Sequence, residues 1–234
     1  MNRISLEVYE AVEAWYAKMQ AKEHGKIALY RKAFYLLYLS GHYPKELFNP
    51  KINPVMEYER YKLGKDIVKI VKLRLFASAR HKGSIGEKKF NIPVFLDYKL
   101  DKDNKKVIYI EEAMWDIITD SWAFMPYALD FGKLGANAGV RINQKLKEVF
   151  VKGYKNTELS EIPLRPKDLR ELRIYDLLSN HADLIGQNPY VVEQIIGLRD
   201  NQYLRRSPMF RMSFSDFDLL SFMRQNASSS QAQE

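Results

Sequence analysis

The stretch "VMEYERYKLGKDIVKIVKLRLFASAR" (residues 55–80) decides the fold, because it can be read in two ways. As a helix it places Ile67, Ile70, Val71 and Leu75 on one face, with Lys62, Lys65, Lys69, Lys72 and Arg74 spread over much of the rest. As a strand, Lys69, Val71, Leu73 and Leu75 alternate with Ile70, Lys72 and Arg74, which leaves neither face cleanly apolar. Clean separation of apolar and polar positions is the main periodicity signal, so the helix is the preferred expectation. Gly64 is a place where that helix would divide.

Beyond it, "LFASARHKGSIGEKKFNIP" (residues 75–93) joins the basic run to what reads as a hairpin. Gly83, Ser84 and Gly86 disfavour regular structure, and Arg80, Lys82, Lys88 and Lys89 repel one another unless an anion is present. "IPVFLDYKL" and "KVIYIEE" flank "DKDN", and β-branched and aromatic runs around an Asp/Asn cluster predict a hairpin over residues 93–110. Two strands alone are unstable in water, so the hairpin must rest on helices.

Upstream, Val8, Val12, Trp15, Tyr16 and Met19 recur at helical spacing after Ser5, a candidate N-cap, and Gly25 is a stop signal. "KIALYRKAFYLLYLS" is apolar on most sides and is expected to be a buried helix ended by Gly41. Pro44, Pro50 and Pro54 make the next segment a connector. Downstream, Met114, Trp115, Ile118 and Trp122 share a helix face, and Val140, Ile142, Leu146, Val149 and Phe150 another. A polar connector over residues 153–166 is the best internal boundary. After it come a helix from Pro166 towards Gly186, a short one opened by Asn188-Pro189, and a last one capped by Ser213 or Ser215.

The chain has 234 residues, 46% hydrophobic and 28% charged, which suits a folded domain with a real core. It has no cysteine, so disulfides, thiolate metal sites and cysteine nucleophiles are excluded. No apolar block long enough for a bilayer or a signal peptide is present, and the expected location is the cytoplasm, without membrane insertion. The net charge is +8, and residues 61–106, with thirteen basic and five acidic residues, hold an excess of that same size. Clustered positive charge is the electrostatic footprint of a polyanion binder.

Specific catalytic chemistry is missing. Gly132, Gly135 and Gly139 fit neither the dinucleotide nor the P-loop spacing. His24, His42, His81 and His181 show no metal-ligand spacing, and His181 sits near a helix C-terminus, where a cation is welcome. Glu111–Glu112 and Asp116–Asp120 read as a helix-start bias and a solvated face. No cofactor, metal or catalytic residue is expected. Most of the aromatics, among them Tyr30, Tyr35, Tyr38, Tyr43, Tyr58 and Tyr61, are expected to fill the core.

The expected fold is mainly α with a small β-hairpin (α+β). A winged-helix-like domain spans 1–156, a helical unit spanning 157–226 packs on it, and 227–234 form a disordered tail. The order helix, helix, connector, basic helix, basic loop, hairpin is broadly similar to that of winged-helix plasmid replication initiators. That resemblance implies a third helix in the major groove and a wing on the backbone. It would set Lys65, Lys69, Lys72, Arg74, Arg80, Lys82, Lys88 and Lys89 near phosphates, with Lys102, Lys105 and Lys106 at the wing tip. The expected function is non-enzymatic nucleic-acid binding, DNA ahead of RNA, of initiator or regulator type. A second reading is a helical adaptor in a bacterial secretion or conjugation assembly. Its basic stretch would meet an acidic partner, and its aromatic-rich C-terminal third would meet other proteins. A third reading is a phosphodiester-processing enzyme using scattered acids.

Overall fold

A computed structural model describes residues 4–20, 24–42, 55–63, 66–76, 87–96, 99–102, 106–119, 137–152, 166–181, 192, 195 and 196. In chain order these form α1 (Ile4–Met19), α2 (His24–Ser40), β1 (Val55–Leu63), β2 (Asp66–Phe76) and β3 (Glu87–Phe95). Then follow β4 (Lys99–Lys102), β5 (Lys106–Tyr109), α3 (Ile110–Thr119), α4 (Ala138–Lys147) and α5 (Pro166–Asn180). A π-helical turn, Glu148–Lys152, extends α4. The described body is mainly helical.

α2 is the axle of the fold. Ala33, Phe34, Tyr35, Leu36, Leu37, Tyr38 and Leu39 are all fully buried, so no face of this segment is left for water. That follows from its sequence, which is apolar all round. α1, α3, α4 and α5 pack around it, together with β3. α1 contributes Ile4, Val8, Ala11, Val12 and Trp15 at helical spacing, and Trp15 meets Phe34 edge-on with centroids 5.4 Å apart. Gly41 ends α2 with φ +62°, the left-handed conformation of a C-terminal cap, and its N–H bonds to the Leu37 carbonyl at 3.0 Å. A Cβ at Gly41 would stand 2.5 Å from Ile196 Cγ2, so the side of the turn is filled as well.

The stretch expected as a basic helix is instead two strands. β1 and β2 pair antiparallel from Val55↔Arg74 to Leu63↔Asp66, and β2 pairs with β3 from Val68↔Phe95 to Phe76↔Glu87. The sheet order is β1-β2-β3. The physical reason lies in Ile67, Val68, Ile70 and Val71, a β-branched run that loses side-chain freedom in a helix and fits a pleated surface. With Gly64 between them, the two halves fold back as a hairpin. The expected hairpin over 93–110 is also redrawn. Residues 93–95 belong to β3, and the separate small hairpin joins β4 to β5, with Lys99↔Tyr109 and Lys102↔Lys106 as its first and last pairs.

α3 starts directly after β5 and buries Met114, Trp115 and Ile118 as expected, with Ile110 and Glu111 on the same stripe. Ile142 and Leu146 of α4 and Val149 and Phe150 of the π-helical turn are buried, but Val140 is 60% exposed. It lies two residues before Ile142, about 200° round the helix, and so cannot share that face. α5 begins at Pro166 and packs against α2, α1 and α4. The rest of the expected C-terminal helices, and the tail, lie outside the described residues, apart from the buried Val192, Ile195 and Ile196.

Candidate functional site

Among the expected phosphate contacts, Lys69, Lys72 and Arg74 fall on β2, and Lys88 and Lys89 on β3. Lys102 and Lys106 stand opposite each other at the end of the β4–β5 hairpin. Lys65, Arg80, Lys82 and Lys105 lie outside the described residues. The backbone register brings several cations together. Arg60 is opposite Lys69, and Arg74 is opposite Lys89. Like charges directly opposite each other in a sheet are destabilising.

The meander meets the helices through β3, which packs against α2 and α3. Its order makes β3 an edge strand, the kind of position that tolerates a proline, and Pro93 occupies it. The outer edge of β3 is closed by two side chains. The Pro93 carbonyl accepts from Arg173 Nη2 at 2.9 Å, and the Phe95 N–H donates to Glu111 Oε2 at 2.9 Å. Glu111 and Arg173 also pair with each other, Nη1 to Oε1 at 2.5 Å and Nη2 to Oε2 at 3.2 Å, and both side chains are fully buried. The ion pair thus offers the donor and acceptor that a neighbouring strand would supply.

The pair belongs to a larger buried centre. Arg173 Nη1 donates to Asp176 Oδ2 at 3.0 Å, one turn further along α5. Tyr38 of α2 donates to the same oxygen at 3.3 Å, and Asn180 donates to Asp176 Oδ1 at 2.7 Å. Ser5 of α1 lies 2.8 Å from the Tyr38 hydroxyl and gives its proton to Glu111 Oε1 at 2.9 Å. The sequence suggests Ser5 as the cap of α1, but the helix already includes Ile4, and the hydroxyl points inward. His181, just past α5, stacks on Phe95 with centroids 3.5 Å apart, and its Nε2 is 3.7 Å from Asp176 Oδ2. The guanidinium of Arg173 lies 5.4 Å from the Tyr38 ring centroid and 5.7 Å from that of Phe95.

Burial works against every charge here, and the neighbours decide the outcome. Desolvation opposes the charge of Arg173, but Glu111, Tyr38 and Asp176 outweigh it and raise its pKa. Burial would raise Asp176, yet the neighbouring His181 ring and the charge of Arg173 hold it below the ordinary carboxylate value. Burial, followed by the charge of Asp176, pushes the Tyr38 phenol well above its usual value.

Glu111, Asp176 and His181 have metal-ligand chemistry, and one atom of each falls within 4.8 Å of the others. Arg173 Nη1 stands between the two carboxylates, at 2.5 and 3.0 Å, where a metal ion would need to bind. The guanidinium is the cation of this centre, and all four carboxylate oxygens already accept hydrogen bonds. The arrangement ties α1, α2, α3, α5 and β3 into one unit. The sequence reading places neither Glu111 nor Arg173 in such a centre. It takes Glu111 as a helix-start bias, whereas the residue is 1% exposed.

A second polar cluster joins α1 to α2. Arg31 forms a two-point pair with Glu13, Tyr35 donates to Glu13 Oε1 at 2.5 Å, and the Arg31 guanidinium lies 4.2 Å from the Tyr16 ring centroid. Comparison with protein-family models, with curated proteins and with solved structures finds no match. No helix among the described residues is long and apolar enough to cross a membrane.

Proposed function

We propose that this chain binds nucleic acid, DNA ahead of RNA, through the basic stretch 61–106. One observation supports the reading above others: an excess of +8 is confined to these 46 residues, most of which form a β-meander and a small hairpin fixed to a helical body. Dense cationic charge on a rigid support is what phosphate-backbone contact requires. The winged-helix-like reading is retained in altered form. The long β2–β3 hairpin takes the part of the wing, with Lys69, Lys72, Arg74, Lys88 and Lys89 on its strands and Arg80 and Lys82 in the sequence between them. Lys65 lies in the sequence between β1 and β2, and the β4–β5 hairpin adds Lys102, Lys105 and Lys106 to the same stretch. Initiator or regulator roles both use this chemistry.

The test is affinity for random-sequence DNA as a function of salt. Each neutralised phosphate contributes about −0.9 to the log–log slope. Changing Arg80, Lys82, Lys88 and Lys89 together to alanine should reduce the slope by about three to four units. Alanine changes at the exposed Lys18 and Lys147 should leave it unaltered. Arg170 and Arg173 would mislead as controls because both are buried. Absence of DNA binding near physiological salt would remove this reading in favour of an acidic protein partner.

A further inference from the structure

We draw no further inference here: the strongest candidate, the exposed surface patch of α4 formed by Val140, Arg141 and Gln144, carries nothing, because nothing in the structure shows what covers it.

Discussion

Arg173 and Glu111 face each other across the outer edge of β3, paired at both oxygens, and each keeps one contact for the strand backbone. Removing one partner from a buried pair leaves an uncompensated charge and costs about 3–5 kcal/mol. Arg173→Met and Glu111→Gln should each destabilise the fold by amounts in that range, measured by urea unfolding. The double change Arg173→Met, Glu111→Gln should cost clearly less than the two single losses added together. Strict additivity would mean that the two groups do not act as a unit.

Asp176 makes stability depend on acid. Its folded pKa lies below the ordinary value of 3.8, so the unfolded chain takes up the proton first. Its contribution is fully present above that ordinary value and is lost as pH falls through the folded one. Unfolding free energy should therefore drop between about pH 5 and pH 2. In Asp176→Asn this part of the acid limb should be flatter, and an unchanged limb would show that other carboxylates carry it.

Tyr35 and Tyr38 set the alkaline limb. Both phenols are raised well above 10.0, by burial first and then by the nearby carboxylates Glu13 and Asp176. The stability they contribute is fully present below the unfolded tyrosine value and declines as pH rises through it towards the folded value. Ultraviolet titration should show exposed tyrosines ionising near pH ~10. These two should ionise only on unfolding. Smooth titration of every tyrosine in the folded chain would contradict the burial described.

Gly41→Ala joins two costs, a left-handed backbone and a Cβ 2.5 Å from Ile196 Cγ2. Together they should destabilise by about 2–4 kcal/mol. Adding Ile196→Ala relieves only the overlap, so the Gly41→Ala change should cost less in that background. Equal cost in both backgrounds would assign the whole effect to the backbone.

The helices were legible because their apolar spacing is clear: Val8, Val12 and Trp15, then Met114, Trp115 and Ile118. Residues 55–76 were not, because lysines alternate with β-branched residues and both periods fit. Pairing with Glu87–Phe95, a partner distant in sequence, decides the matter. Glu111 and Arg173 looked like surface charges. Their signal was positional: Glu111 lies three and four residues before Met114 and Trp115, and Arg173 lies midway between Leu169 and Leu177, on stripes that are otherwise apolar. A charge on a buried stripe needs a partner, but sequence alone does not say from which element it comes.

The closure of the β3 edge also bears on how copies of this chain treat one another. An uncovered strand border is a template on which another chain can add its own backbone, the first step of swapping and fibre growth. Here a carboxylate and a guanidinium from distant helices occupy that border at Pro93 and Phe95. A variant that loses either group would thus be expected to become sticky as well as less stable, gaining dye-binding aggregates at concentrations where the parent stays dispersed.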